Sequence, residues 1–327
     1  MTTLMIHFLK IHSFRAKHEN NEQNGVRLVK EEVEGKTKIF DAHMHIGRAF
    51  KATNTGCFKE YVVCAKNAGI CEAIVIPPCI PDYQVLPSGE QFIPFLYHNG
   101  ECVQAKMNGQ KVTYDRVKTD PFSSINRKLF LETCNYSFDI SLHFAPLVHP
   151  LYWDSSVFSE EEWKKIIAIK IHPGCFGITP FEVSREFFLN VESMKKPLII
   201  HTGLKNSLAL DWLNVLADYS IKAMFTHACR LNPSCAARIF SDDRYCVGIA
   251  PYKKLDNMNQ FVEYESFLSG VLSMFDISQI VFDSDYPENI DKDGNLYWDF
   301  RNDLDELHVS AAEQEKILFA NGKSFFT

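Results

Sequence analysis

Eight short apolar runs, spread from Lys38 to Phe282, limit what this chain can fold into more than any other feature. They are Lys38–Ala42, Glu72–Ile76, Ile140–Val148, Ile167–Ile171, Pro197–His201, Lys222–Thr226, Tyr245–Ile249 and Gln279–Phe282. Each is rich in Ile, Val or Phe, the pattern of strands buried on both faces. Helical patterns lie between them: Phe58–Ala68 with Gly69 as its C-cap, Glu160–Lys165, Glu182–Met194, Ser207–Tyr219, Pro233–Phe240, Gln260–Phe275 and Ala311–Phe319. Glu160–Lys165 is acidic at its start and basic at its end, which suits the helix dipole. Strands alternating with helices predict an α/β fold, and eight strands is the count of a (β/α)8 TIM barrel.

Two segments fall outside this rhythm. Residues 1–36 are largely polar and charged in their second half and read as an N-terminal extension, with a short strand at Val26–Val29. Residues 79–127 form a long insert after the second strand. Within it, Cys102–Met107, Asn108-Gly109 and Gln110–Tyr114 predict a β-hairpin with a favoured turn. Loops after barrel strands open on one face, so the insert is a candidate lid, with surface decoration as the alternative. The barrel itself is expected over residues 37–327.

A net charge of −7 and the lack of any basic run with interleaved aromatics argue against a nucleic-acid partner. No run of about 18 apolar residues exists and no export signal is legible, so no membrane partner is expected. The ten cysteines include no Cys-x-x-Cys and are expected as free thiols in a reducing, cytoplasmic setting. Homo-oligomerisation is compatible with such a barrel, although no interface is legible.

The strand ends carry the chemistry. His43 and His45 are two apart on a strand, so their imidazoles share a face. His201 ends the most apolar strand, His227 ends the next, and Asp285 follows the last. A parallel barrel gathers strand ends into one ring. Three histidines and a carboxylate suit zinc with an open position for water, and Asp285 could also accept that water's proton. Asp283, two residues before Asp285, is expected one layer deeper, orienting a ligand histidine or a buried donor.

Four segments, Asp41-Ala42-His43-Met44-His45-Ile46-Gly47, Ile200-His201-Thr202-Gly203, Phe225-Thr226-His227 and Ser284-Asp285-Tyr286-Pro287, resemble the signature of the amidohydrolase superfamily. The likeness is to its amidohydrolase-related branch, which includes aminocarboxymuconate-semialdehyde-decarboxylase-like enzymes. It covers about residues 38–327, including the closing Ile317–Phe326 pattern. The resemblance implies a divalent metal, zinc foremost, held by His43, His45, His201 and Asp285. It also implies that His227 polarises the substrate or binds a second ion. Related binuclear enzymes bridge two ions with a carboxylated lysine near Lys170, but one ion is expected here, because four ligands already satisfy zinc. Lys170, His172 and Arg230 are candidate substrate-binding residues, Arg230 through its planar fork. Asp283 departs from the family pattern, which has glycine there. The expected activity is metal-dependent hydrolysis of a small-molecule amide, ester or lactone by a metal-activated water. The alternative is nonoxidative decarboxylation or hydration of an unsaturated or aromatic acid.

Overall fold

The computed structural model describes residues 38–48, 55–78, 84–85, 91–98, 101–107, 110–112, 120, 122–136, 139–176, 178–202, 209–250, 254–256, 261–287 and 300–327. The extension, its short strand and the Asn108-Gly109 turn lie outside these residues. Eight parallel strands follow in order: β1 (Ile39–His45), β2 (Ile70–Ile76), β3 (Ser141–Phe144), β4 (Ile169–Ile171), β5 (Leu198–Ile200), β6 (Ala223–Phe225), β7 (Tyr245–Ile249) and β8 (Ile280–Phe282). Continuous ladders run through β1–β2–β3 and through β4–β5–β6–β7–β8. Backbone hydrogen bonds cross both remaining seams. Between β3 and β4 these are Ile167 N to Phe144 O (3.1 Å), Lys170 N to Pro146 O (2.8 Å) and Val148 N to Lys170 O (2.9 Å). Between β8 and β1 they are Asp285 N to His43 O (2.9 Å) and His45 N to Tyr286 O (2.8 Å). The barrel is the expected one.

Period-two alternation divides the core. Phe40, Ala42, Ile74, Ile76, Ala145, Ala168, Ile199, Met224, Cys246 and Val281 fill the interior. Their strand neighbours, including Ile39, Val75, Ile169, Leu198, Phe225, Val247 and Phe282, face the surrounding helices. Continuing the inward phase by two residues reaches Lys170 from Ala168, His201 from Ile199, Gly248 from Cys246 and Asp283 from Val281. These positions form the layer above the apolar plug. β1 changes phase on the way: Asp41 pairs with Ala73 but Met44 pairs with Val75, so one extra residue is inserted. That bulge turns Met44 to the outer core and sends His43 inward, because a one-residue slip swaps the faces of a strand.

The helices are α1 (Phe58–Ala68), α2 (Ser123–Asn135), α3 (Glu160–Lys165), α4 (Arg185–Met194), α5 (Ala209–Leu216), α6 (Pro233–Phe240), α7 (Tyr264–Met274) and, at the end of the described chain, α8 (Asn321–Phe326). Gly69 caps α1 with φ 85°, and a Ser159–Glu162 capping box starts α3. Two expectations need correction. Helix α2 was not legible: no side chain caps its start, and its first and last turns lack the acid and base that mark ends. Residues 261–263, expected as helix, pair as a strand with Lys254–Asp256 before α7 begins. In the insert, Glu101–Met107 pairs antiparallel with Gln110–Val112 as expected, inside a four-stranded sheet that also contains Gln84–Val85 and Gln91–His98. The Glu101–Met107 strand comes close to Pro173–Phe176, the turn leaving β4, which puts the insert on the face where the β-strands end.

Candidate metal centre

His43, His45 and Asp285 present ligand atoms that lie within 4.8 Å of one another, the one group of this kind among the described residues. Asp285 Oδ1 is 3.6 Å from His43 Nδ1 and 3.7 Å from His45 Nε2. The backbone makes this convergence: Asp285 adopts φ 47° and its N–H bonds to the carbonyl of His43, locking the β8 exit onto the end of β1. His45 donates from Nδ1 to the carbonyl of Pro77 (3.1 Å). A carbonyl only accepts, so the proton sits on Nδ1 and leaves Nε2 bare toward Asp285, the tautomer a metal requires. His43 Nδ1 is buried with no hydrogen-bond partner, although it faces the carboxylates. An orphaned ring nitrogen beside a carboxylate and a second bare imidazole nitrogen fits a divalent ion.

Lys170 is fully buried, and its Nζ lies 2.9 Å from His43 Nε2. An ammonium only donates, so this nitrogen of His43 accepts. Burial, then the charge of Lys170, push the His43 imidazole well below its ordinary range and keep it neutral. His201 and His227 form a second pair, with His227 Nε2 3.2 Å from His201 Nδ1. Both are held well below the ordinary imidazole value. The cause is burial first, reinforced by His172 at His201 and by Arg230 at His227. The His43 and His227 rings stand 6.4 Å apart. Thus all four histidines meet at the barrel mouth, but His201 is joined to His227 rather than to the group of His43, His45 and Asp285.

His172 lies flat against His201, with ring centroids 3.7 Å apart and planes at 16°. The backbone N–H of Cys175 donates to its Nδ1 (3.1 Å), which puts the ring proton on Nε2, 3.4 Å from Cys175 Sγ. Both ring nitrogens are therefore turned to Cys175, and His172 braces His201. Arg230, partly buried on the turn after β6, acts on His227 through its charge.

Two carboxylates beneath the ring matter more than the sequence suggested. Asp41 is fully buried and accepts from Tyr61 Oη (2.7 Å), Ser284 N (2.8 Å) and His43 N (3.3 Å). It therefore ties α1, β1 and the β8 exit together directly under the ligands. Burial, opposed by these donors, raises its pKa to about 6. Its only sequence signal was its place at the head of the His-x-His motif. Asp283 is also fully buried, and neither of its oxygens has a hydrogen-bond partner among the described residues. Oδ1 stands 3.9 Å from His43 Nδ1. Its carboxylate occupies the space a side chain at position 248 would need: a Cβ on Gly248 would fall 2.1 Å from Oδ2. Burial, then Asp285, push it well above the carboxylate range.

No protein-family model matches the chain, and no curated protein matches it in sequence. Solved structures do. A probable 2-pyrone-4,6-dicarboxylic acid hydrolase from Acinetobacter baumannii is similar with TM-score 0.55 and 13% identity, covering 88% of this chain and 98% of its own. The 5-carboxyvanillate decarboxylase LigW from Sphingomonas paucimobilis gives TM-score 0.54 at 8% identity over 89% of this chain and 99% of that one. A TIM-barrel protein from Bordetella bronchiseptica gives TM-score 0.53 at 10% identity over 88% and 98%. At these identities the likeness is one of fold: the chain is a TIM barrel.

Proposed function

We propose that this chain is a metal-dependent enzyme of the amidohydrolase superfamily that hydrolyses an amide, ester or lactone of a small molecule. The observation carrying this reading is the convergence of His43, His45 and Asp285 at the mouth of the barrel. The sequence resemblance and the fold likeness, reached independently, support the same superfamily. His43, His45 and Asp285 would hold one divalent ion, with His201 as the further ligand the resemblance implies. Two imidazoles and a carboxylate suit zinc. Such an ion polarises a carbonyl and lowers the pKa of water.

The chain's own residues supply the rest. Asp285 accepts a proton at its carboxylate, held in place through the bond from Ser284 N to Asp41. His227, kept neutral by burial and by Arg230, supports a developing oxyanion. Arg230 and Lys170 bring positive charge for a substrate carboxylate, and the insert over residues 79–127 shapes access. The second reading is nonoxidative decarboxylation, supported by the fold likeness to a decarboxylase. We further place the protein in the cytoplasm, its cysteines reduced, acting on a small molecule with no nucleic-acid or membrane partner. No described helix is long and apolar enough to cross a membrane.

Metal content per chain, measured on protein purified without chelator, tests the reading in wild type, His43→Ala and Asp285→Asn. About one ion in wild type and none in His43→Ala is expected. An Asp285→Asn variant that keeps both metal and full turnover would remove the proton-accepting role. Released carbon dioxide against released acid then separates the two reactions.

A further inference from the structure

The chain leaves β6 in a conformation that L-residues avoid. His227, Ala228, Cys229, Arg230 and Leu231 have φ of 57°, 45°, 52°, 53° and 56°, one turn of left-handed helix without a glycine. Such a conformation costs roughly 1–2 kcal/mol per residue. Right-handed α6 begins at once, with Asn232 Oδ1 accepting from Ser234 N (2.9 Å) and Cys235 N (3.2 Å). Two thiols meet where the helices of opposite hand abut. Cys229, on the left-handed turn, and Cys235, in the first turn of α6, are hydrogen-bonded to each other and almost fully buried.

We propose that Cys229 and Cys235 form a reversible disulfide with small-molecule disulfides as oxidant, and that this modification resets the His227–Arg230 turn of the candidate centre. The Cys235 thiolate attacks one sulfur of the small disulfide and expels a thiol, leaving a mixed disulfide on Cys235. The Cys229 thiolate then attacks Cys235 Sγ and expels the second thiol. The protein dithiol loses two electrons and two protons, and both pass to the released thiols. Cys235 is the attacking residue, because the Cys229 thiol donates to it and holds its pKa below the ordinary thiol value, beside the N-terminus of α6. Both sulfurs are buried, so reaction proceeds from an opened turn, and the backbone strain lowers the cost of opening.

The coupling follows from geometry. Sulfurs in hydrogen-bond contact must close to about 2.05 Å, a movement on the order of 1.5 Å. Cys229 is two residues from His227 and adjacent to Arg230, so this movement passes to the 3.2 Å contact between His227 and His201. The disulfide itself does not depend on what the centre binds, whereas its effect on the centre rests on the metal-site reading.

The test uses the full chain equilibrated with oxidised and reduced glutathione, acid-quenched, alkylated and peptide-mapped. The expected product is a Cys229–Cys235 linkage, lighter by two hydrogens and reversed by dithiothreitol. It should be absent in Cys229→Ser and Cys235→Ser and present in Cys246→Ser. Zinc affinity should fall at least about tenfold on oxidation of wild type and stay unchanged in the double serine variant. Alkylation of Cys229 and Cys235 in every buffer, while exposed Cys57 and Cys134 take up glutathione, would overturn the proposal. A linkage that forms without moving zinc affinity overturns the coupling. Should the protein bind no zinc at all, the peptide map still decides whether the disulfide forms.

Discussion

Asp120 shows how a single buried carboxyl can set a pH dependence remote from the candidate centre. It lies at the start of α2, accepting from Phe122 N (2.9 Å), and burial, with Asp154 nearby, raises its pKa to about 7. Unfolded, it returns to 3.8. Below that value both states are protonated and nothing is lost. As pH rises from about 4 to about 7 the unfolded chain ionises first, so stability falls, by up to about 4 kcal/mol for a shift of this size. Asp120→Asn keeps an acceptor for Phe122 and has no charge to bury. It should match wild type at pH 4 and exceed it by about 2–4 kcal/mol at pH 8, read from urea unfolding. An advantage equal at both pH values would mean the carboxyl is not held neutral. Asp120 was silent in the sequence, as were the roles of Asp41 and Gly248. Their importance comes from partners far along the chain, such as Ser284 for Asp41, and no local pattern encodes those. The histidines were legible because strand ends announce themselves by the apolar run before them.

Elements were legible where their ends carry chemistry. Gly69 and the Ser159–Glu162 box marked α1 and α3, whereas α2 has no such signals. The bulge in β1 was hidden because its one-residue slip leaves the His-x-His spacing untouched while reversing the inward face before it. Helix ends also yield predictions. Lys195 closes α4 in the left-handed region, with φ 53° and ψ 34°, on an exposed position. Lys195→Gly removes that strain and no buried contact, so a gain of about 0.5–1 kcal/mol is expected in urea unfolding. A loss would show that the lysine side chain contributes at that end. Gly322 in α8 is the opposite case: a Cβ there would sit 2.7 Å from Phe40 Cδ1 and 3.1 Å from Val281 Cγ1, both in the barrel interior. Gly322→Ala should destabilise by about 1–3 kcal/mol. Lys323→Ala, which breaks only the partly exposed pair with Glu72 (2.7 Å), should cost less than about 1 kcal/mol. Equal losses from the two would mean α8 is held by charge rather than by close approach.

At the scale of the whole molecule, the barrel forces several imidazoles into one low-dielectric layer, and folding must keep them neutral. His43, His201 and His227 are all depressed well below 6.5, and burial lowers His149, stacked on Phe176 beyond β3, to about 3. A depressed folded pKa means that stability is whole above 6.5 and is lost as pH falls toward the folded values, because only the unfolded chain takes up the protons. Each such imidazole contributes a slope of about 1.4 kcal/mol per pH unit, so four together approach about 5. Asp120 opposes them with a single proton over much of the same range. Acid unfolding should therefore be steep below pH 6.5, and metal removal should steepen the loss, since only neutral imidazole binds an ion. His149 offers the cleanest check, because it lies outside the group of His43, His45 and Asp285. His149→Gln should flatten the pH dependence of the urea midpoint between pH 6.5 and 5 by about one proton while leaving metal content unchanged. An unaltered slope would show that His149 does not enter the fold neutral. A loss of metal would show that the layer of histidines acts as one unit, with His149 supporting the ligands it does not touch.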